Sequence, residues 1–482
     1  MNIKLPRHKT KIVCTIGPAS RSQAVLKKLI ETGMNVARLN FAHGSPDEHR
    51  ENIQRIRQAA AKLNRVVAIM ADLPGPKIRI GKLEREPLTL EKGQSVTLTT
   101  RDVPGTASLI PVEYKRLPEN VSRGSVIYLS DGFIQLRVRE VMGDEVRCKV
   151  VIGGQVGSHK GLNLPRARIS ARAITANDID LLHFGLGEGV DAFSVSFVEE
   201  AADLIKVKEL ARKKGKSAFV VAKIERQQAV KNIDEILQAT DALMIARGDL
   251  GVEVPIQDLP GIQKRIIHKA NLSGRPVITA TQMLESMTSN IRPTRAEVTD
   301  VANAILDGTD AVMLSEETAI GKYPVETVRM MARISTSIER YRSSIGSTRD
   351  FVDRWQREYG HKKSTVEDTI SLSVLEALHT LDIRYVLTPT SSGATPRRIS
   401  RFKPESWVLS FSSDEKVRNR LALSYGVYPI LMDRKGNDWD ERIIRFIKDS
   451  GLAKEYDRVI LTKGVYAGEP SSTNSLKIIT VG

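Results

Sequence analysis

The sequence is poor in cysteine and has no long hydrophobic run. Its two cysteines, Cys14 and Cys148, are too few for a disulfide framework, and neither has the spacing of a paired metal ligand. The N-terminal segment is basic but no apolar stretch follows it, and nowhere do about 18 apolar residues run together. We therefore expect a protein of a reducing compartment, the cytoplasm, with no signal peptide and no membrane span.

Several common functional motifs are also missing. There is no GxxxxGK[ST] phosphate loop, and none of the eight histidines forms an HExxH metal pair. The glycine-rich segment 185–189 follows a predicted helix and leads into a strand, the reverse of the order in a dinucleotide site. Aromatic residues make up only 5% of the chain, which argues against base stacking and nucleic-acid binding. The net charge of +16 then fits anionic metabolites as partners.

What the chain does contain is a repeated alternation of short β-branched runs with helical stretches. Its 482 residues are enough for several domains. Two helix starts are clear, at Ser45-Pro46-Asp47-Glu48 and at Thr175-Ala176-Asn177-Asp178. The apolar runs lie at 12–16, 36–39, 66–70, 192–195, 219–222, 242–246, 277–280 and 311–314. Eight such units predict an α/β fold whose catalytic part is a (β/α)8 TIM barrel.

The alternation is interrupted twice, which predicts three domains. Residues 82–165 are rich in alternating strands and turns and are predicted to form an inserted all-β domain. After the last barrel helix a second alternation predicts a C-terminal α/β domain with a mainly parallel sheet. The predicted division is 1–81 with 166–345 for the barrel, 82–165 for the insertion and 346–482 for the C-terminal domain.

Polar side chains follow most of the predicted barrel strands. They are Arg38, Asn40, Asp72, Ser196, Lys223, Glu225, Asp249, Thr281, Ser315 and Glu317. Taken singly, an Asp at a strand end usually caps the next helix and a Lys usually points into solvent. Because the active site of such a barrel is built at the carboxyl ends of its strands, their convergence on one rim predicts a catalytic site.

The residue types at this rim indicate phosphoryl transfer. Glu225 and Asp249 offer hard oxygen ligands from adjacent strands, which suits Mg²⁺ or Mn²⁺. Lys223, Arg38 and Arg79 would place fixed positive charge around a transferring phosphoryl group. Cys14 lies within an apolar strand and is interpreted as a packing residue.

Several segments match a known family, and the chain resembles pyruvate kinase, of the bacterial, potassium-independent type. The most specific match is Val221-Ala222-Lys223-Ile224-Glu225-Arg226, which resembles the family signature around its essential lysine and a metal-binding glutamate. Further matching segments lie at 38–41, 246–251, 280–285, 292–297, 313–315 and 317–319. The resemblance implies transfer of a phosphoryl group from phosphoenolpyruvate to ADP, giving pyruvate and ATP.

The resemblance also implies roles for single residues. Glu225 and Asp249 would bind the divalent ion, and Lys223 would stabilise charge on the phosphoryl group and the enolate oxygen. Arg38 and Arg79 would hold the phosphoryl group. The backbone of Gly248 and Asp249, with Thr281, would receive the substrate carboxylate, and Ser196 would contribute to substrate binding. Thr281, Ser315 or an ordered water would protonate the enolate, and the sequence leaves these alternatives open.

The inserted domain resembles the mobile lid of the family. The nucleotide would then be bound by Asp131 and Lys160 from the lid and by Arg38, Asn40, His43 and Arg79 from the barrel. Members of the family are generally homotetramers with an effector site in the C-terminal domain. A metal-dependent barrel lyase is the nearest alternative enzyme, but it lacks such a lid. A regulatory protein on a degenerate barrel is the non-enzyme alternative, and it would have lost Lys223 or a metal ligand.

A predicted effector-phosphate site lies between a strand and a helix of the C-terminal domain. It consists of Thr390, Ser391, Ser392, Gly393, Ala394 and Thr395, which offer hydroxyls, backbone N–H groups and a helix N-terminus. An ordinary strand-to-helix turn is the alternative. The distal loop at 463–474 has a single basic residue, Lys463, so we expect a sugar monophosphate or AMP rather than fructose 1,6-bisphosphate.

The last prediction is that K⁺ is not required. Many pyruvate kinases bind K⁺ through segments resembling RLNFSHG and DTKGPEIR. This chain has Ala42 and Leu73 where those segments carry oxygen ligands, and Lys77 where they carry the glutamate. The ammonium of Lys77 would act as a surrogate cation near Asp72 and the phosphoryl group. The alternative is that Lys77 is a solvated surface charge.

Overall fold

The fold was analysed on a computed structural model, which describes residues 3–130, 132–165, 174–344, 355–357, 365–433, 439–464 and 473–482. The strands are β1 (Lys11–Thr15), β2 (Met34–Asn40), β3 (Ala68–Leu73), β4 (Leu88–Leu90), β5 (Ser95–Thr99), β6 (Leu109–Pro111), β7 (Val126–Leu129), β8 (Ile134–Met142), β9 (Glu145–Ile152), β10 (Gly154–Val156), β11 (Leu162–Asn163), β12 (Ala192–Val195), β13 (Val220–Ile224), β14 (Ala242–Ala246), β15 (Val277–Ala280), β16 (Ala311–Leu314), β17 (Ile383–Pro389), β18 (Trp407–Ser412), β19 (Val427–Leu431), β20 (Arg458–Gly464) and β21 (Thr473–Thr480).

Helices connect most of these strands. They are α1 (Gln23–Thr32), α2 (Pro46–Lys62), α3 (Ala176–Gly187), α4 (Ala201–Lys213), α5 (Gln227–Lys231), α6 (Ile233–Ala239), α7 (Arg247–Glu253), α8 (Leu259–Leu272), α9 (Arg295–Leu306), α10 (Glu316–Ala319), α11 (Pro324–Ser344), α12 (Val366–Thr380), α13 (Ala394–Ser400), α14 (Glu415–Arg420) and α15 (Trp439–Asp449). Both predicted helix starts are confirmed, since Ser45 with Glu48 and Thr175 with Asp178 form reciprocal capping boxes.

Eight parallel strands close into a barrel, as the alternation predicted. Around the barrel their order is β1, β16, β15, β14, β13, β12, β3, β2. The strands are almost wholly buried because helices cover the outside and side chains fill the inside. Strand β2 begins at Met34, two residues earlier than its apolar run, because Met34 already pairs with Ile12 of β1.

The inserted segment forms a β domain with a core of its own. Its six-stranded sheet has the order β11, β7, β8, β9, β5, β6, and β4 pairs separately with β10. Isolated bridges join Arg79 to Gly161 and Ile80 to Val112, so the chain enters and leaves this domain side by side. Ile78 and Ile80 belong to the apolar core of the β domain. The domain is therefore held above the carboxyl end of β3, at the rim of the barrel.

The C-terminal domain is a five-stranded sheet with helices packed against it. The strand order is β19, β18, β17, β20, β21, and only β21 runs antiparallel to its neighbour. This confirms the predicted mainly parallel sheet. Pro429 lies in β19, which is the edge strand of this sheet. An edge strand tolerates a proline because one of its sides forms no ladder hydrogen bonds.

Buried polar contacts fasten the C-terminal domain to the barrel. The Nζ of Lys403 lies 2.8 Å from Oδ2 of Asp310, and the side-chain amide of Asn419 donates to Asp191 at 3.0 Å. Both aspartates come immediately before barrel strands, β16 and β12. The C-terminal domain therefore attaches at the amino-terminal end of the barrel and leaves the carboxyl ends of the strands open.

Candidate active site

The carboxyl ends of the barrel strands surround a cavity of about 410 Å³. Twelve of the predicted site residues line it: Arg38, Asn40, His43, Asp72, Lys77, Arg79, Ser196, Lys223, Glu225, Asp249, Thr281 and Ser315. The strands bring these residues together because parallel strands of a closed barrel all point their carboxyl ends to the same rim.

Lys223 occupies the centre of the polar cluster. Its Nζ lies 2.8 Å from Oγ of Ser196, 2.8 Å from Oε1 of Glu225 and 3.4 Å from Oδ1 of Asp72. Burial by itself would lower the pKa of Lys223, but the two carboxylates outweigh it and raise the pKa above its ordinary value. The ammonium therefore stays charged and is held in place from three sides.

Arg38 reaches the same cluster from β2. Its Nε donates to Oδ2 of Asp72 at 3.0 Å, and a second nitrogen donates to the hydroxyl of Thr15 at 3.0 Å. Burial would raise the pKa of Asp72, but Lys223 and Arg38 together hold that pKa below its usual range. Asp72 is thus an ionised carboxylate that orients two cations at the floor of the cavity.

Glu225 and Asp249 face the cavity from adjacent strand ends. Glu225 is 1% exposed, and its Oε2 accepts a hydrogen bond of 2.9 Å from the backbone N–H of Phe197. Burial raises the pKa of Glu225, and although Lys223 opposes the shift, Asp249 adds to it. Two carboxylates that face one cavity from adjacent strands are a site at which a cation is favoured.

Backbone strain is concentrated on this rim. Phe197, Thr281 and Gln282 have φ angles of 56°, 67° and 55°, in the left-handed region that residues other than glycine rarely adopt. The buried Arg247 holds the strained segment, because it donates to the carbonyl of Thr281 at 2.7 Å and pairs with Asp300 at 2.7 Å.

The hydroxyl of Thr281 is fixed by local bonds. It accepts a hydrogen bond of 2.8 Å from the N–H of Gly248 and donates to the carbonyl of Ala280 at 2.6 Å. The loop after β14 and the loop after β15 are therefore joined at this point. Gly248 has no side chain here, and a Cβ would come within 3.6 Å of the Thr281 hydroxyl.

Ser315 is positioned by Glu317, which the sequence placed on the rim without assigning it a role. Glu317 is 2% exposed and accepts hydrogen bonds from the N–H groups of Ser315 at 2.6 Å and Leu284 at 3.2 Å. Burial raises the pKa of Glu317. Glu317 thus ties the loop after β16 to the loop after β15.

Basic residues line the side of the cavity nearest the β domain. Arg79 donates to the carbonyl of His159 at 2.8 Å, and Lys77 is exposed at the rim. Burial lowers the pKa of His43, and the nearby charges of Arg79, Lys77 and Arg38 lower it further. Among the described residues Asp72 pairs with Arg38 and Lys223, whereas Lys77 is not within ion-pair distance of it.

Of the two predicted nucleotide residues of the β domain, only Lys160 is among the described residues. Asp131 lies outside the described residues. Lys160 is exposed and is not among the residues that line the cavity, although its carbonyl accepts a hydrogen bond of 3.0 Å from Ile80.

The predicted effector segment forms a tight turn between β17 and α13. Thr390 accepts a hydrogen bond of 2.8 Å from the N–H of Gly393, whose φ is 77°. Ser391 and Ser392 are exposed, whereas the hydroxyl of Thr395 lies 2.5 Å from that of Thr473. The single basic residue of the distal loop, Lys463, is already paired with Asp440 at 2.5 Å.

Comparison with known proteins decides the family. The family model described as the pyruvate kinase barrel domain matches residues 7–328, and the one described as the pyruvate kinase alpha/beta domain matches residues 368–479. The chain belongs to the pyruvate kinase family. As a member of that family it is a phosphotransferase whose substrates and products are phosphoenolpyruvate, ADP, ATP and pyruvate.

Similar proteins cover nearly the whole chain. A pyruvate kinase of Thermococcus litoralis is 55% identical over 479 residues, which is 99% of this chain and 100% of that protein. A pyruvate kinase of Geobacillus stearothermophilus is 44% identical over 98% of this chain and 80% of its own length. A crystal structure of a pyruvate kinase from Cryptosporidium parvum superposes with a TM-score of 0.90 at 34% identity, covering 99% of this chain and 97% of that one.

Two features are absent from the residues that the structure describes. None of their helices combines the length and the apolar composition that a membrane crossing needs. Nor do they contain a group of three or more His, Cys, Asp or Glu side chains arranged to hold a metal ion.

Proposed function

We propose that the enzyme transfers the phosphoryl group of phosphoenolpyruvate to ADP in the cavity at the carboxyl ends of the barrel strands. The observation that carries the proposal is the position of Lys223, a buried ammonium held by Asp72, Glu225 and Ser196 and facing an open cavity. A fixed charge of this kind costs no reorganisation when the phosphoryl group moves.

A divalent ion, Mg²⁺ or Mn²⁺, would be held by Glu225 and Asp249. The fit rests on the donors, which are hard carboxylate oxygens from adjacent strands, one of them with its pKa raised by burial and by the other carboxylate. When bound, the ion would supply Lewis-acid charge to the oxygens of the substrate.

The remaining polar residues would position the substrate. Arg38 and Arg79 would hold the phosphoryl oxygens, with Lys223 neutralising the charge that develops as the phosphoryl group leaves the enolate oxygen. The backbone N–H groups of Gly248 and Asp249, with Thr281, would receive the substrate carboxylate, which would replace the bond between the N–H of Gly248 and the Thr281 hydroxyl. Ser196, which accepts a hydrogen bond from Lys223, would contribute to substrate binding.

Protonation of the enolate would follow on the same rim. Thr281 and Ser315 both line the cavity, and an ordered water between them could equally donate the proton. The nucleotide would be held by Asn40 and His43 of the barrel together with Asp131 and Lys160 of the lid. Movement of the lid toward the barrel would bring Lys160 to the nucleotide and exclude water from the phosphoryl group.

The direct test is a steady-state assay of the purified chain with phosphoenolpyruvate, ADP and Mg²⁺, following pyruvate. We expect no pyruvate when any of the three components is withheld or when the divalent ion is chelated. Pyruvate formation without ADP would contradict phosphoryl transfer, because it would mean that the cavity hydrolyses its substrate.

We further propose that activity does not require K⁺. Support comes from Ala42 and Leu73, which offer no side-chain oxygen, and from Lys77, which lines the same cavity as Asp72 and lowers the pKa of the neighbouring His43. A side-chain ammonium adds one positive charge near the phosphoryl group without a binding equilibrium.

Rates measured in sodium, potassium and tetramethylammonium buffers of equal ionic strength test this. We expect similar rates in all three. Lys77→Glu should lose most of the activity and regain only part of it with K⁺. Lys82→Glu, an exposed control on the β-domain side, should keep its activity. Stimulation of the unmodified enzyme by K⁺ of about tenfold or more, roughly 1.4 kcal/mol, would refute the proposal.

A phosphorylated effector is proposed for the turn that contains Thr390, Ser391, Ser392, Gly393, Ala394 and Thr395. The exposed hydroxyls of Ser391 and Ser392 support a single phosphate there. Lys463 is paired with Asp440, which disfavours a second phosphate and hence a bisphosphate. The effector would be a sugar monophosphate or AMP.

Calorimetry with AMP, glucose 6-phosphate and fructose 1,6-bisphosphate tests the effector proposal. We expect a monophosphate to bind more tightly than the bisphosphate, and Ser391→Asp to abolish binding by charge repulsion. Ser373→Asp, an exposed position on α12, is the matched control. Tight binding of the bisphosphate alone would contradict the proposal.

The remaining expectations are also proposals. The domains would divide at residues 81/82, 165/166 and 345/346, the enzyme would assemble as a homotetramer, and it would work in the cytoplasm. Light scattering after size-exclusion chromatography tests the tetramer, which should have four times the 53.4 kDa mass of one chain. A monomer at micromolar concentration would contradict it.

A further inference from the structure

A second cavity lies at the amino-terminal end of the barrel, opposite the catalytic mouth. Its volume is about 600 Å³. The N-terminal segment, the end of α1 and the starts of β1 and β2 form one side, and α11 with β19 of the C-terminal domain forms the other. The cavity is therefore a junction between the barrel and the C-terminal domain and shares no residue with the catalytic cavity.

The charge of this cavity is strongly positive. Seven of its lining residues are Lys or Arg and only one, Glu31, is acidic. Four of the basic residues come from the N-terminal side, Lys4, Arg7, Lys11 and Arg65, and three come from α11, Arg329, Arg333 and Arg340. The spacing of four and seven residues places the three arginines of α11 on one face of the helix.

Few of these cations are paired with a carboxylate, although burial lowers the pKa of Lys11 to about 7. Arg329 lies 3.6 Å from Glu326, the Nζ of Lys11 donates to the carbonyl of Val427 at 2.7 Å, and Arg65 donates to the carbonyl of Lys4 at 3.2 Å. Within the described residues, neither Arg333 nor Arg340 forms an ion pair with a carboxylate. Arg7, on the opposite wall, likewise forms no ion pair with a carboxylate of the described residues.

A solvated basic surface is the simple alternative, and single exposed cations need no other explanation. Here, however, the cations are gathered in a concave space rather than spread over a convex one. Low-dielectric walls focus the potential in such a cleft and attract counter-ions to it. Like charges four residues apart on a helix, as Arg329 and Arg333 are, also destabilise that helix unless an anion lies between them.

We propose that this cavity binds a small organic polyanion that carries two or more phosphate groups. Its volume lies within the range of about 300–1,000 Å³ that is usual for small-molecule sites. Arg333 and Arg340 on one wall and Arg7 on the other bind phosphates of the same ligand, since the planar guanidinium group matches phosphate geometry. The ligand bridges the N-terminal segment and α11 beneath β19.

Calorimetry of the full-length, metal-free protein tests the proposal, with sodium tripolyphosphate and inorganic phosphate as the probes. The double variant R333A/R340A removes the two unpaired arginines of α11. The double variant R139A/R445A is the matched control, because it removes two exposed arginines outside this cavity. Both variants lower the net charge of the chain equally.

We expect tripolyphosphate binding to weaken at least about tenfold in R333A/R340A and to stay unchanged in R139A/R445A, since hydrogen bonds between charged groups are the strong ones. Equal weakening in both variants would mean general charge attraction, and no weakening in R333A/R340A would mean that the probe binds in the catalytic cavity. Either result overturns the proposal. So does inorganic phosphate binding as tightly as tripolyphosphate.

Thermal unfolding provides a second readout that does not depend on the heat of binding. A ligand that bridges the barrel and the C-terminal domain stabilises the folded chain in proportion to its occupancy. Tripolyphosphate should therefore raise the Tm of the unmodified protein and of R139A/R445A but not that of R333A/R340A. An equal rise in all three proteins would refute the site.

Discussion

Replacement of Lys223 by methionine tests the centre of the catalytic cluster. The change keeps the length of the side chain but removes an ammonium that lies 2.8 Å from Glu225 and 3.4 Å from Asp72. Removal of one preorganised electrostatic donor usually costs about 2.7–4 kcal/mol of transition-state stabilisation, which is roughly 10²–10³ in kcat. In the proposed mechanism Lys223 faces the transferring group directly, so we expect a loss at or above the upper end of this range.

The structure also predicts how the loss divides between kcat and KM. Arg38 and Arg79, which we propose to hold the phosphoryl group, still line the cavity in this variant, so the KM for phosphoenolpyruvate should change much less than kcat. Stability should fall as well, because Asp72 and Glu225 lose a shared cation, and breaking a buried ion pair costs about 3–5 kcal/mol. Proton uptake by Glu225, whose pKa is already raised, reduces this loss.

The assay couples pyruvate to lactate dehydrogenase and follows NADH, at saturating Mg²⁺ and with the fold of each variant checked by circular dichroism. Lys213→Met, at an exposed position near the end of α4, is the control and should behave like the unmodified enzyme. A kcat for Lys223→Met within tenfold of the unmodified value would refute the proposed role of the ammonium. A loss confined to KM would refute it too, since Lys223 would then act only in binding.

Two further predictions concern buried carboxylates. Burial raises the pKa of Glu253 from 4.5 to about 7, so the folded protein is most stable with respect to this group at acid pH and loses that stability as the pH rises through 7. Glu253→Gln should therefore raise the Tm of the metal-free protein more at pH 8 than at pH 5. An equal gain in Tm at both pH values would contradict the shift. Glu339 accepts hydrogen bonds from the N–H groups of Lys9 and Thr10 at 2.8 and 2.7 Å, so Glu339→Ala should cost about 2–4 kcal/mol by leaving buried donors unpaired. Glu326→Ala, more exposed on the same helix, should change the Tm little, and similar losses in both variants would rule out that explanation.

The periodicity of the sequence determined the barrel. β-branched runs with helical segments between most of them were enough to predict eight parallel strands, and their polar ends were enough to predict one rim. Most of the predicted rim residues line the cavity, because the carboxyl ends of all the parallel strands in a closed barrel lie at the same rim. The two capping boxes were also predicted correctly, because they depend only on hydrogen bonds between residues that are close in the sequence.

Tertiary structure alone revealed the residues that support this rim. Arg247 follows β14 as an ordinary charged residue in the sequence, yet it is buried and holds the strained segment at Thr281. Phe197 gives no polar signal, but its backbone N–H orients Glu225. These roles depend on main-chain atoms and on positive φ angles, which side-chain identities do not encode. For Glu317 the sequence did contain a signal, because a carboxylate that follows a barrel strand so closely needs hydrogen-bond donors if it is buried, and the N–H of Ser315 is one of them.

The positions of the β domain and of the second cavity could not be obtained from the sequence either. Lys160 was predicted at the nucleotide from the resemblance of the inserted domain to the lid of the family, yet its distance from the cavity depends on how the β domain sits above the barrel. The basic residues of the amino-terminal cavity are spread from Lys4 to Arg340, and only the closure of the barrel against the C-terminal domain brings them together. The sequence determines which elements form because hydrogen bonding and hydrophobic periodicity are local, whereas contacts between distant segments arise only once those elements pack.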